Sequence, residues 1–340
     1  MMLREQVCTA DCSQNMPQTY LSATTMWIPS ICIVLGFLAV VEAQVSPYTI
    51  CPDPDRIAPC VCEKGCDGCQ AVIVCKNILT QTTLEEILDK NGDFPFRTAI
   101  IKDSSFQYIP HNVFLKNRYI YLTIINCTLV KVLDDDLEGV SPLDTLNLID
   151  LKIQKKLSFR RFANLRKMTV LYVENTEYLK IKKSEMNFLS SKLVVIEFVN
   201  TKTLRIESNA FQDFNKLESL RVSKGELKSI ESNMFPSNLL SLTLSGNKLK
   251  SIPSDLLESL PNLVNIYLEN NLIVTFDEAS FGKLPTLQYI EIEGNPIKCD
   301  CKTRWVVGRK RPYIEGICTD RKDQKKIREL TSDDFAYCPK

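Results

Sequence analysis

Cysteine and histidine are the side chains with the most chemistry to offer in this chain, and their numbers limit what it can do. The 340 residues include fourteen cysteines but a single histidine, His111, in the segment IPHNVF. A Ser–His–Asp or Cys–His pair would have to use His111, and one histidine cannot form a multi-histidine metal site. The sequence contains no HExxH, P-loop or GxGxxG motif. We therefore predict no catalytic residue, no metal and no cofactor, with His111 on a surface loop.

The cysteines are concentrated at the ends of the chain. Three lie in the first 32 residues, six in 51–75 and four in 299–338, and only Cys127 lies between the clusters. Terminal clusters of this kind are typical of disulfides in an oxidising compartment. The Cys-x-Cys and Cys-x-x-Cys spacings within 60–69 also offer four thiolates to zinc, an alternative that oxidation of secreted thiols disfavours. We expect Cys127 to be a buried thiol without a partner.

The N-terminal region predicts secretion. Residues 27–41 form an uncharged apolar run, shorter than the roughly 20 residues that a membrane-spanning helix needs, and Val41 and Ala43 fit the small-residue rule for signal peptidase. We predict a signal peptide over residues 1–43, with Met26 as an alternative start and a type II membrane anchor as the alternative reading. Lys and Arg total 42 and Asp and Glu total 41, so no overall charge favours a nucleic acid or a membrane surface as partner.

The rest of the chain repeats about every two dozen residues. In LLSLTLSGNKLKSI, from Leu239, apolar residues occupy positions 1, 4, 6, 11 and 14, and Asn247 occupies position 9. Nine units keep this frame, starting at residues 96, 119, 143, 168, 193, 217, 239, 263 and 287. Positions 4 and 6 alternate as in a strand, so each unit can bury them against its neighbours. Only the last three units keep Asn at position 9, where its amide can bond the turn; Leu151 and Gly225 cannot supply that bond.

This unit resembles the leucine-rich-repeat family, whose pattern is L-x-x-L-x-L-x-x-N-x-L. The resemblance implies an α/β-type solenoid with a curved parallel β-sheet on its concave face, loops and short helical turns on its convex face, and disulfide-capped ends. Its parts would be an N-terminal cap over 51–95, nine repeats over 96–298 and a C-terminal cap over 299–338. The family pattern implies the disulfides Cys51–Cys62, Cys60–Cys75, Cys299–Cys318 and Cys301–Cys338. The additional Cys66 and Cys69 are expected to pair with each other, and Trp305 to cover the last repeat.

The resemblance also places the odd-numbered strand positions on the concave face, where a partner would bind. Apolar groups beside tyrosines there are typical of protein contact surfaces, although β-propensity alone also explains them. An acidic group beside two tyrosines follows toward the C-terminus. The candidate contact residues are Tyr121, Ile125, Ile149, Tyr172, Glu174, Glu197, Val199, Arg221, Tyr267, Glu269, Tyr289 and Glu291.

Two further features concern surface chemistry. Asn126-Cys127-Thr128 is the single N-x-Ser/Thr sequon, so Asn126 is a candidate glycosylation site. Basic runs occur at Lys155, Lys156, Arg160 and Arg161, and again at 309–311. They fit either a solvated surface or a site for sulfated glycans.

We interpret the sequence as a secreted, non-enzymatic scaffold that binds or stabilises another protein, either a catalytic subunit or a matrix component. The segment CPDPDRIAPCVC resembles secreted arthropod proteins similar to the non-catalytic leucine-rich-repeat subunit of a shrimp luciferase complex, which favours an escort role. The alternatives are a small leucine-rich protein of the extracellular matrix that binds collagen or sulfated glycans, and a soluble immune recognition protein. No nucleic acid and no membrane anchor are expected.

Overall fold

A computed structural model describes residues 51–339 apart from 65–70, 93, 111, 134–138, 140 and 282–284. The predicted signal peptide, the Cys66–Cys69 pair and His111 lie outside the described residues.

The repeats form one long sheet whose buried side is the core of the protein. Within each repeat strand, positions 4 and 6 are buried while positions 3, 5 and 7 mostly remain partly exposed, as in the pattern iBiBi of Thr145–Ile149. Strands of neighbouring units pair in parallel and in register, so Leu242 lies beside Ile266 and Ile266 beside Ile290. All three side chains are fully buried. The predicted leucine-rich-repeat solenoid is therefore the observed fold.

The described residues place twelve strands in this sheet. In sheet order they are β1 (Val61–Lys64), β2 (Ala71–Lys76), β3 (Thr98–Lys102), β4 (Tyr121–Ile125), β6 (Thr145–Ile149), β8 (Val170–Glu174), β10 (Val195–Val199), β12 (Ser219–Ser223), β13 (Ser241–Thr243), β14 (Asn265–Tyr267), β15 (Tyr289–Glu291) and β16 (Tyr313–Glu315). Every pairing is parallel except that of β1 with β2. The caps thus extend the parallel ladder beyond the nine predicted repeats, by β2 at one end and β16 at the other.

Short elements fill the return half of each unit. Two small parallel pairs follow the main strands, β5 (Thr128–Leu129) with β7 (Lys152–Ile153) and β9 (Lys180–Ile181) with β11 (Arg205–Ile206). The helices are α1 (Pro54–Ile57), α2 (Gln81–Lys90), α3 (Asn112–Leu115), α4 (Lys183–Met186), α5 (Leu256–Ser259) and α6 (Glu278–Phe281), with 3₁₀ turns at Ser232–Met234, Cys301–Val306, Ile327–Glu329 and Ser332–Phe335. Because every one of these elements except α2 is a single turn or little more, it gains its stability from buried side chains such as Phe114 and Phe281.

Position 8 of every unit turns the chain away from the sheet in the left-handed backbone conformation. The φ angles there lie between 47° and 71° in all nine units. Asn, Asp and Gly, the residue types that tolerate this conformation, occupy eight of the nine positions, and Lys224 occupies the other. The turns bond to each other through the backbone: the N–H of Asn126 donates to the carbonyl of Ile149, and that of Asn175 to the carbonyl of Val199.

Position 9 then stabilises the turn with a buried side chain. Each of Asn247, Asn271 and Asn295 accepts a bond from the N–H of an apolar residue in the preceding unit and donates to at least two carbonyls. Upstream, Thr176 accepts from the N–H of Leu151 at 3.0 Å. The predicted contrast between a regular C-terminal ladder and a less regular upstream one is confirmed, because the asparagines accept from position 11 of the preceding unit whereas Thr176 accepts from position 9.

Four disulfides close the described caps, and they are the pairs that the resemblance implies: Cys51–Cys62, Cys60–Cys75, Cys299–Cys318 and Cys301–Cys338. Trp305 packs against Phe276 with ring centroids 5.2 Å apart, and its indole N–H donates to the Phe276 carbonyl at 3.1 Å. Among the described cysteines, Cys127 has no disulfide partner and is buried. No described helix has the length and apolar character needed to cross a membrane.

Candidate partner-binding face

The outward side chains of the sheet form the candidate binding face, and its N-terminal third carries the predicted apolar group. Ile125 and Ile149 lie side by side in register on β4 and β6, both half-buried, and Tyr121 is 45% exposed. Val199 does not belong to this group, since it is only 6% exposed. It lies in register between Glu174 and Ser223 of the adjacent strands. Val199 therefore offers a partner little surface.

The middle of the face is polar, and its polar side chains bond to one another. The Tyr172 hydroxyl donates to Glu174 at 2.7 Å, and the guanidinium of Arg221 lies 3.3 Å from the carboxylate of Glu197 on the adjacent strand. Burial raises the pKa of Tyr172, and the bond to Glu174 raises it further. These four predicted contact residues are thus held in fixed pairs before any partner arrives.

A shallow depression separates this region from the C-terminal end of the face. Its volume is about 480 Å³, and Arg221, Ser223, Tyr267 and Glu269 contribute to its walls. Glu269 accepts a short hydrogen bond from the Ser245 hydroxyl on the neighbouring turn. The depression combines a cation, hydroxyls, an aromatic ring and a carboxylate, which suits a polar side chain of a partner.

Three tyrosines cross the C-terminal end of the face on adjacent strands, and we call them the tyrosine ladder: Tyr267, Tyr289 and Tyr313. Ring centroids are 5.7 Å apart for the first pair and 6.0 Å for the second, whose planes differ by only 8°. Tyr313 is 46% exposed, and the guanidinium of Arg328 lies 5.1 Å from its ring centroid. The ladder is thus an aromatic surface whose last member, Tyr313, is exposed to solvent.

Carboxylates flank the tyrosine ladder. The Tyr289 hydroxyl donates to Glu291 at 2.5 Å, and this bond raises the pKa of Tyr289. Partial burial raises the pKa of Glu291 above its ordinary value. Glu293 is exposed, whereas Glu315 is bonded by Arg328 at 2.8 Å. The negative charge of this region therefore centres on Glu269, Glu291 and Glu293.

Tyr313, the third tyrosine of the ladder, was not predicted from the sequence. Tyr313 lies between two cap cysteines, and the cysteine spacing gave no reason to expect a sheet strand there. A signal was nevertheless present, because Tyr-Ile-Glu occurs at 289–291 and again at 313–315. The two copies pair in register as β15 and β16.

Among the described residues, no three His, Cys, Asp or Glu side chains come close enough to hold a metal ion. Burial raises the pKa of the Cys127 thiol to about 11, so this thiol is not an activated nucleophile at neutral pH. Asn126, the candidate glycosylation site, is exposed at the rim of the face, and its amide donates to Asp103 at 2.8 Å. Its glycosylation stays a prediction.

Comparison with known proteins agrees with the leucine-rich-repeat fold. A family profile described as leucine rich repeat matches residues 237–297. Lumican of Rattus norvegicus is 32% identical over 194 residues, which are 47% of this chain and 55% of lumican. Podocan of Mus musculus is 26% identical over 204 residues, 52% of this chain and 33% of podocan. Decorin of Equus caballus is 33% identical over 116 residues, 34% of this chain and 32% of decorin.

The chain thus spans about half the length of lumican and about a third of podocan and decorin. These relatives are small leucine-rich proteoglycans, and they point to extracellular protein binding. The similarity to the shrimp luciferase subunit stays a prediction.

Proposed function

We propose that this protein is a secreted scaffold of the extracellular matrix that binds a fibrous matrix protein such as collagen through the C-terminal half of its concave face. The observation that carries the proposal is the tyrosine ladder with its flanking carboxylates. Tyrosines account for a large share of binding energy at protein interfaces, because their rings bury much area at low entropic cost and their hydroxyls remain able to bond.

The charge of the region indicates the chemistry of the partner. Glu269, Glu291 and Glu293 would attract lysine or arginine side chains, whose cations also stack on tyrosine rings. Arg328 already makes such a contact with Tyr313, at 5.1 Å from the ring centroid. We therefore expect the partner to present basic side chains to the ladder.

The similarity to lumican, podocan and decorin favours a matrix partner over the two alternatives. Escort of a catalytic subunit and recognition of a microbial ligand would use the same face, so identification of the partner decides between them. Crosslinking of the secreted protein to its co-purifying partners, followed by mass spectrometry, provides that identification.

The test is a binding assay of the secreted protein on fibrillar collagen. The double variant Y289A/Y313A removes the middle and outer rungs, and we expect at least a tenfold loss of affinity, since one interface hot spot contributes about 2 kcal/mol or more. Y337A is the matched control, because Tyr337 is 69% exposed in the cap and is not part of the ladder.

Y289F separates the ring from its hydroxyl and should retain most of the binding. Equal collagen affinity of wild type, Y289A/Y313A and Y337A would exclude this surface. A catalytic protein or a microbial ligand as the main crosslinked species would replace the matrix proposal by the corresponding alternative.

A further inference from the structure

The convex side carries a concentration of positive charge that the concave face does not use. Residues 152–183 contain ten lysines and arginines but only two acidic residues, while the formal net charge of the whole chain is +1. Three of these cations, Lys155, Lys156 and Arg160, belong to the segment KKLSFRRF at 155–162 and are exposed. We call these three residues the convex cluster.

The segment that carries the convex cluster is firmly anchored. Leu157, Phe159 and Phe162 alternate with the basic residues and are at most 6% exposed. The two phenylalanine rings meet edge to face with centroids 5.2 Å apart. Buried apolar residues on both sides of the cations fix the backbone, so the cations are presented outward without a large loss of backbone entropy on binding.

Backbone bonds to the preceding unit add to this anchoring. The N–H of Lys155 donates to the carbonyl of Val130 at 2.9 Å. Lys156 adopts a φ of 65°, the left-handed conformation, and the N–H of Phe159 donates to Glu185 at 2.8 Å. Glu185 also accepts from the Ser158 hydroxyl at 2.8 Å, so this carboxylate has two donors of its own.

Two adjoining depressions are built around these side chains. The first has a volume of about 160 Å³, and no described residue of its lining is acidic; the lining consists of Lys131, Val132, Leu133, Lys155, Lys156, Ser158, Arg160 and Arg161. The second has a volume of about 320 Å³, shares Lys156 with the first, and adds Lys180 and Lys182 together with Glu177 and Glu185. Cations from two successive units therefore follow one another along the convex surface.

We propose that the convex cluster binds a linear sulfated polysaccharide. Arginine and lysine bind sulfate oxygens by charge-assisted hydrogen bonds, and a row of cations across two repeats fits a chain of repeating anions. Of the described residues in 152–183, none is a large exposed hydrophobic side chain that could enter a lipid bilayer. A membrane is therefore the less favoured partner. This site is separate from the proposed concave site and does not depend on it.

The affinity of the unmodified chain is itself a test. Wild-type protein that fails to bind immobilised heparin at about 0.15 M salt would overturn the proposal.

The decisive comparison uses two triple variants of the full secreted chain on heparin. K155Q/K156Q/R160Q removes the convex cluster, and R309Q/K310Q/R311Q removes the same number of charges from the C-terminal cap. We expect the first variant to lose about tenfold or more in heparin affinity at about 0.15 M salt and the second to lose less than about threefold. The dependence of log affinity on log salt should also become shallower by roughly 0.7 to 0.9 for each cation contact removed.

Three results would overturn the proposal: equal losses in the two variants, unchanged binding to chemically desulfated heparin, or tighter binding to vesicles containing phosphatidylserine than to heparin. Thermal unfolding of both variants checks that the fold is retained, which we expect because all three residues of the convex cluster are exposed. Collagen binding should be unaffected by K155Q/K156Q/R160Q, so failure of this proposal is distinguishable from failure of the proposed function.

Discussion

Asn271 provides the sharpest test of how the repeats are held together. It is 3% exposed, and its side-chain oxygen accepts from the N–H of Leu249 at 3.1 Å. Its side-chain nitrogen donates to the carbonyls of Leu244 and Leu268 at 3.0 and 2.9 Å. A longer bond of 3.3 Å reaches the carbonyl of Glu269, so the substitution N271A removes four bonds from a buried site.

The loss of stability depends on which backbone groups lose their last side-chain hydrogen-bond partner. The Leu244 carbonyl still receives Asn247 at 2.9 Å, and the Leu268 carbonyl still receives Asn295 at 2.9 Å. Only the N–H of Leu249 is left without an acceptor. An orphaned buried group costs about 1–3 kcal/mol, and the two shorter donor bonds add roughly 0.5–1.5 kcal/mol each. We expect N271A to lower the free energy of unfolding by about 2–6 kcal/mol.

N271T tests the assignment of this loss to the missing acceptor. Thr176 shows that a threonine hydroxyl at position 9 can accept from a buried N–H, at 3.0 Å from the nitrogen of Leu151. The loss for N271T should therefore be smaller than for N271A. Urea denaturation of the secreted protein with its disulfides intact measures both variants. N262A is the control, since Asn262 makes one exposed bond, and it should cost less than about 0.5 kcal/mol. An N271A variant within that limit, or equal losses for N271A and N271T, would refute the reasoning.

Three further outcomes are expected. G225A should lower the unfolding temperature and cost about 1–3 kcal/mol, because a Cβ at Gly225 would lie 2.8 Å from the side-chain oxygen of Asn247; unchanged thermal unfolding would contradict this. Native Cys127 should resist thiol reagents at pH 8, because burial raises the pKa of its thiol from 9.0 to about 11. Between pH 9 and 11 the thiol ionises more readily in the unfolded chain, so wild type should lose up to about 2 kcal/mol more stability than C127A over that range. A bond from Lys325 at 2.7 Å lowers the pKa of Asp334. The stabilisation that the ionised Asp334 carboxylate gives to the fold is therefore present above the ordinary aspartate range and is lost progressively as the pH falls below about 4. Protection of residues 299–338 from hydrogen exchange, relative to the intrinsic rate at each pH, should therefore fall in acid in wild type, and already at neutral pH in D334N.

Most of the fold was predictable because its cause is local and repeated. Each unit carries its own inward apolar positions and its own turn residue, so reading one unit correctly predicts the others. The buried state of Leu242, Ile266 and Ile290 follows from their spacing alone, as does the use of Asn247, Asn271 and Asn295 in the turns. The cysteine clusters likewise indicated where the solenoid ends.

The candidate site was less predictable, because contacts on the face depend on which residues of separate units lie in register. Tyr289 and Tyr313 are 24 residues apart in sequence, and only the pairing of β15 with β16 places their rings 6.0 Å apart. The burial of Val199 was likewise not evident from its own unit, because Ile125 and Ile149 at the same position are only half-buried.

The sequence by itself determined the period, the inward face and the capped ends of this solenoid. The tertiary structure decided that the C-terminal cap adds a strand to the sheet, and therefore that Tyr313 completes an aromatic surface with Tyr267 and Tyr289. It also decided that the convex cluster lines a depression shared between repeats. The physical reason is that burial within a unit is set by neighbours a few residues away, whereas a binding surface is assembled across units that the chain brings together only when the coils stack.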